Sequence, residues 1–215
     1  MKGEGEMGGR RVLVRLPNWI GDAVMALPAV LALGRARPDV EWALLGGARA
    51  RPLFEGLDEP FRLLPALPSS ISGAAFLAIA RRLRRERFDA ALLFPPSFRA
   101  ALEARAAGVP ILAGWATDAR GPLLTVRGPE PTRSRPLREQ YYELAARLLE
   151  RLEGESLPPI PAGGLPPGRA PLRAEELAGA EALLEERRLD ATRTIALAPG
   201  ATFGPTKRWP PERFA

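Results

Sequence analysis

Short apolar runs alternate with amphipathic stretches along most of this chain. Residues 11–16 (RVLVRL) read as a buried strand, and residues 20–35 as a helix entered through the turn Pro17-Asn18-Trp19-Ile20-Gly21-Asp22. Further strand-like runs fall at 40–45, 61–64, 90–94 and 111–113, with helical stretches at 49–57, 71–87 and 97–107 between them. This alternation predicts an α/β domain with a parallel, doubly wound, Rossmann-like sheet, because parallel neighbours need a crossover long enough to hold a helix. Residues 138–152 (REQYYELAARLLERL) place Tyr142, Leu144, Ala145, Leu148, Leu149 and Leu152 mostly on one side. That helix is expected to pack on the sheet and close a first domain spanning residues 1–153.

The pattern then breaks. Residues 154–171 hold six prolines and four glycines, which predicts a semi-rigid linker over 154–172. Beyond it a helix near 174–188 and an apolar strand at 194–198 lead into a Pro/Gly loop. A second strand-loop-helix unit therefore begins within 173–215 and is only begun by Ala215.

Composition narrows the chemistry. Hydrophobic residues make up 46% of the 215 and charged residues 26%, the balance of a globular protein with a sizeable core. Cysteine and histidine are both absent, which removes disulfides, thiolate nucleophiles, Ser-His-Asp arrangements and the usual metal ligands. Any acid or base is Asp, Glu, Lys or Tyr. The net charge of +6 favours anionic partners, although only Lys2 and Lys207 are lysines and the arginine-rich bias goes with abundant Ala, Gly and Pro. The apolar run at 12–16 contains Arg15 and ends at Pro17, too short for a signal core. The run at 19–33 contains Asp22 and Pro28 and falls short of the ~20 residues of a membrane span. The expected location is cytoplasmic.

Three constellations could carry chemistry. The loop 17–22 sits where doubly wound folds bind ligands, at the carboxyl edge of the sheet; Gly21 would let a backbone come close, and Asp22 would face the cleft. Read as structure alone, Asp22 is a first-turn acid favoured by the helix dipole. The second is the loop 200–210, where Gly200 and Gly204 flank a segment ending in Lys207 and Arg208 before an expected helix, an arrangement suited to a diphosphate. It lacks P-loop spacing, and a solvated proline-rich turn is its structural alternative. The third is the run Arg81, Arg82, Arg84, Arg85 and Arg87, of which 81, 84 and 85 share a helical face. Such runs are usually solvated; the functional reading is a patch drawn to anionic lipid or lipid phosphates. Nucleic acid is not an expected partner, since no aromatic residues interleave with these arginines to stack bases. No Asp-x-Asp pair occurs, so no metal-diphosphate clamp is expected and no metal or other cofactor is implied.

Three segments together resemble the family-9 glycosyltransferases, the heptosyltransferases: VLVRLPNWIGDAVMALPAVLAL at 12–33, FDAALLFPPSFRAALEARAAGVPILAGW at 88–115 and LAPGATFGPTKRWPPERFA at 197–215. They occur in the family's order and spacing. The resemblance implies a GT-B fold whose N-terminal domain binds the inner core of lipopolysaccharide and whose C-terminal domain binds ADP-heptose. By position, Asp22 is similar to the family's catalytic base and Lys207 to the lysine at the donor diphosphate. Thr202, Gly204 and Thr206 fall in the matching donor loop, and Asn18, Trp19 and Gly21 in the acceptor-cleft loop.

The resemblance further implies about 130 more residues of donor domain, an ordinary remainder for a second domain. On that expectation residues 1–215 alone are inactive. The expected reaction is inverting transfer of heptose from ADP-heptose to the lipopolysaccharide core, with peripheral contact at the inner membrane. A family member with another acceptor, or a non-catalytic module binding carbohydrate or lipid phosphate should the chain naturally end at 215, are the alternative readings.

Overall fold

The computed structural model describes residues 9–67, 72–166, 168–197 and 210–213. Six parallel strands form one sheet: β1 (Arg11–Arg15), β2 (Glu41–Leu45), β3 (Phe61–Leu63), β4 (Ala90–Leu93), β5 (Ile111–Gly114) and β6 (Val126–Arg127). Their order is β3-β2-β1-β4-β5-β6. The chain thus winds outward from β1 in one direction and then returns to build the other half, so the order reverses between β1 and β4. In register, Val14 stands between Leu44 and Leu92, and Arg15 between Leu45 and Leu93.

Four helices cover the sheet. α1 (Ile20–Ala36) and α4 (Leu137–Glu153) pack together over one face, burying Leu27, Val30 and Leu33 with Leu144, Leu148 and Leu149 against Val12, Val14 and Leu16. α2 (Gly73–Glu86) and α3 (Phe98–Ala106) cover the other face, where Ile79, Leu83, Ala101 and Ala104 meet Leu13, Leu45, Leu93 and Leu112. A parallel sheet so enclosed reads as continuous apolar strands rather than alternating ones, which is why β1, β2 and β4 stood out in the sequence. Serines start both helices of the second face. Ser72 Oγ accepts from Ala75 N at 3.2 Å, and Ser97 Oγ accepts from Ala100 N at 3.4 Å.

Several expectations are corrected. The helix expected over 49–57 is a single 3-10 turn, Arg51–Phe54; Pro52 removes a donor, and Gly56 packs so close to Pro171 that a Cβ would fall 2.8 Å from its carbonyl oxygen. Strand β6 was not expected, because two residues carry no measurable periodicity. Residues 194–197 form no strand, and Ile195 and Leu197 are exposed; residue 198 lies outside the described residues. A strand exists only through pairing, and no described residue offers this segment a ladder.

The Pro/Gly-rich stretch after α4 lies along the first helical layer. Gly154 ends α4 in a left-handed conformation (φ 73°), Leu157 and Leu165 are buried, and Tyr142 Oη donates to the carbonyl of Pro158 at 2.9 Å. One compact unit ends at Pro171 and a second begins at Leu172. Among the described residues, the second unit contains α5 (Ala174–Glu186), which buries no side chain, and a 3-10 turn at Pro211–Arg213. No described helix is long and apolar enough to cross a membrane.

Candidate active site

Strand β1 delivers its last residues to the point where the strand order reverses, the place at which doubly wound sheets open a crevice. Leu16 N still bonds to Leu45 O at 2.8 Å; Pro17 then turns the chain, and Asn18, Trp19 and Ile20 are exposed along the rim. Trp19 takes the N-cap position of α1 in an extended conformation, and its carbonyl accepts from Ala23 N at 2.9 Å. An indole cannot accept from the helix amides as a serine would. The first-turn amides of α1 therefore have no side-chain cap and add their partial positive charge to the crevice.

Asp22 stands in this first turn and is half-buried. Burial raises its carboxyl above the ordinary aspartate range. Tyr141 of α4 feels that charge: its phenol is pushed well above its ordinary value by burial first and by Asp22 second. Tyr141 is thus neutral across the physiological range. Its ring is wedged between Phe94, edge-on at 4.8 Å, and Trp115, stacked at 5.2 Å. Phe94 follows β4 and Trp115 follows β5, so the carboxyl ends of adjacent strands and the start of α4 build one aromatic floor.

A buried arginine holds that floor in place. The Arg120 guanidinium donates from Nε to Trp115 O (2.8 Å) and from Nη1 to Pro95 O (2.5 Å) and Ser97 O (3.4 Å). It is fully buried, and desolvation lowers its pKa to about 10 against the opposing pull of Asp118. Asp118 itself accepts from Phe98 N at 2.7 Å, tying the loop after β5 to the start of α3. Asp118 and Ala119 both adopt left-handed backbone (φ 52° and 54°), a costly pair for residues with side chains. Across the rim, the Arg49 guanidinium sits 5.7 Å above the Trp19 ring.

The structure thus brings Asn18, Trp19, Gly21 and Asp22 to one edge. A Cβ built on Gly21 would meet nothing within 4 Å, so no packing contact requires glycine there. The donor-loop candidates Thr202, Gly204, Thr206 and Lys207 lie outside the described residues. Sequence reasoning missed Tyr141 and Arg120. Tyr141 sat in a helix already read as a packing element; Arg120 carried no signal, since only its burial against three carbonyls distinguishes it from the other arginines.

A doubly wound α/β domain with this strand order is the architecture of one half of a GT-B glycosyltransferase. The chain belongs to glycosyltransferase family 9 (heptosyltransferase), whose family description matches residues 76–215. It is 30% identical over 213 residues to lipopolysaccharide heptosyltransferase 2 of Salmonella typhimurium, a match covering 95% of this chain and 58% of that protein. The structure of Escherichia coli ADP-heptose lipopolysaccharide heptosyltransferase II superposes with a TM-score of 0.66 at 29% identity, covering 93% of this chain and 57% of that one. A family-9 glycosyltransferase from Veillonella parvula matches in fold, with a TM-score of 0.71 at 18% identity, over 95% of this chain and 57% of that one. The chain therefore spans just under three-fifths of the length of these relatives, and its α/β fold is that of GT-B heptosyltransferases.

Proposed function

We propose that this protein transfers heptose from ADP-L-glycero-D-manno-heptose to the inner core of lipopolysaccharide, with inversion at the anomeric carbon. The observation that carries the reading is Asp22: a half-buried carboxylate, raised by burial, at the switch point of a chain belonging to family 9. Residues 1–153 form the acceptor-binding domain, 154–172 connect it, and 173–215 open the donor-binding domain.

Asp22 accepts the proton of an acceptor heptose hydroxyl as that oxygen attacks the donor's anomeric carbon. The bond from that carbon to the diphosphate oxygen breaks, and ADP leaves with the electron pair. The hydroxyl becomes acidic as it attacks, so a carboxylate suffices as base, and a raised pKa makes it a better one. Lys207, with Thr202, Gly204 and Thr206 in the same loop, holds the diphosphate and stabilises the charge that develops on it. Asn18 and the exposed ring of Trp19 position the acceptor sugar, and Gly21 leaves room for it beside α1.

The acceptor is a lipid, so the protein works in the cytoplasm at the inner face of the inner membrane. The test is a transfer assay on the full-length protein with ADP-heptose and core acceptors bearing none, one or two heptoses. Product dependent on both substrates supports the reading. Transfer to a different acceptor class keeps the family and replaces the substrate, and no transfer to any acceptor overturns it.

A further inference from the structure

We propose that the outer face of α2 and α3 is a docking surface for an anionic phospholipid bilayer. The two helices carry two acidic residues between them, Glu86 and Glu103, and both turn inward. Glu86 pairs with Arg11 and Arg62 at 2.6 and 2.7 Å. Glu103 is buried and serves Arg99 at 2.8 Å and Arg15 at 3.8 Å. Nothing acidic on these helices is left to face solvent.

The arginines of α2 point the other way. Arg81, Arg84 and Arg85 are exposed, as is Arg87 at its C-cap, and none has a carboxylate partner among the described residues. The buried face of the same helix is Ile79, Ala80 and Leu83, which fixes these cations on the side away from the sheet. α4, covering the opposite sheet face, is balanced by contrast, with four acids against three arginines along its length. Of these two helices, α2 alone carries an excess of outward-facing cations.

Apolar side chains share the layer of α2 and α3. Leu77 is 49% exposed on the same side of α2 as Arg81 and Arg84, and Phe98 (41%) and Leu102 (36%) line the outer side of the adjacent α3. From Leu77 to Arg85 the helix advances about 12 Å. Unpaired cations beside exposed apolar side chains match a surface of anionic headgroups over acyl chains: arginine stems lie along the interface with their heads among phosphates, while Leu77 and Phe98 enter the boundary. A nucleic acid would match the charge but leave the aliphatic Leu77 and Leu102 without a purpose. The proposal rests on the acceptor being lipid-borne, and it says which face meets the lipid.

The test is sedimentation of the full chain with phosphatidylcholine vesicles containing ~30% phosphatidylglycerol, against phosphatidylcholine alone, in 0.1 M and 0.5 M salt. Binding is expected only to the anionic vesicles and is expected to weaken strongly at high salt, where screening shortens to a few ångströms. Each cation removed should cost about fivefold in partitioning, so Arg81→Gln/Arg84→Gln should lose roughly 25-fold and Arg81→Glu/Arg84→Glu more. Arg147→Glu/Arg151→Glu on α4 changes net charge as much as that reversal and should lose little. Circular dichroism melts accompany each variant, and the glutamine pair decides should the glutamate pair not fold. No anionic-vesicle binding, an equal loss in the α4 pair, or tighter binding of a single-stranded RNA through the same arginines overturns the proposal. The transfer assay with detergent-dispersed acceptor is read separately: intact vesicle binding without transfer removes the enzymatic reading alone, and the converse removes only the docking face.

Discussion

Asp22 and Tyr141 are electrostatically coupled across the joint between α1 and α4: the aspartate's negative charge is the second cause, after burial, that keeps the phenol protonated. The two residues are 119 positions apart, and α1 against α4 is what joins them. With the phenol pushed up by burial, the carboxylate is the member of the pair able to accept a proton.

Asp22→Asn should lower kcat by roughly 10²–10⁴ in the full-length enzyme with little change in donor KM, as removal of a positioned base does. The pH profile checks the assignment. The carboxyl must be ionised to act and its folded-state pKa is raised, so kcat falls on the acid side at a pH above that of an ordinary aspartate. Stability runs in the opposite sense. A raised carboxyl contributes stability present below its unfolded pKa and lost as pH rises through the folded value, so at neutral pH the asparagine variant should melt no lower than the parent. Near-normal turnover together with a lowered melting temperature would make Asp22 a helix-start residue only.

Tyr141→Phe and Tyr141→Ala should separate packing from polarity. The ring is held by Phe94 and Trp115, so phenylalanine should keep stability within about 1 kcal/mol. Alanine opens a cavity under the crevice and should cost about 3–5 kcal/mol in urea unfolding. Equal costs for the two would mean the hydroxyl, not the ring, holds the floor.

Gly21 and Gly34 lie on one helix and should respond oppositely to alanine. A Cβ at Gly21 meets open space, whereas one at Gly34 collides with the Phe61 ring. Gly34→Ala should therefore cost about 1–3 kcal/mol through overpacking against β3. Gly21→Ala should be neutral or stabilising by up to ~1 kcal/mol, since glycine is a poor helix former. If a substrate uses that space, Gly21→Ala should raise acceptor KM while the melting temperature holds. An unchanged KM would remove Gly21 from the acceptor site.

Local pattern reveals an element, while a residue's neighbours across the fold stay hidden from it. The strand-turn-helix around Asp22 was legible, because a buried apolar strand closed off by Pro17 and a long apolar helix beginning at Ile20 each announce themselves locally. The outward face of Arg81, Arg84 and Arg85 was legible for the same reason, from helical spacing. Gly21 and Gly34 look alike in the sequence, and only the position of Phe61 on β3 separates them. Tyr141 owes its role to Phe94, Trp115 and Asp22 on other elements, and Arg120 to carbonyls in two loops that only the fold brings together, so no local pattern marks them. The loop around Lys207, read as a diphosphate site from its own composition, lies outside the described residues.

Burial strips the Arg120 guanidinium of water, and its hydrogen bonds offset only part of that loss, since Nη2 is left without a partner. A guanidinium with no exposure loses its hydration, which is why its pKa falls to about 10 although the charge of Asp118 pulls the other way. What it gains is a planar fork that reaches the carbonyls of Trp115, Pro95 and Ser97, joining the loops after β4 and β5. Lysine offers a point charge without the fork and cannot span both loops. Arg120→Lys should thus destabilise almost as much as Arg120→Met, which abandons the charge but leaves buried carbonyls unpaired at about 1–3 kcal/mol each. Losing the two shorter of those bonds comes to about 2–6 kcal/mol, which for a chain of this size lowers the melting temperature by roughly 4–24 °C. The role in positioning has its own readout. With the loops released, Trp115 and Phe94 no longer fix Tyr141 beside Asp22, so the acid limb of the kcat profile should shift in both variants at temperatures where they remain folded. A variant that melts early but keeps the parental pH profile would leave Arg120 as a structural clamp with no influence on the base.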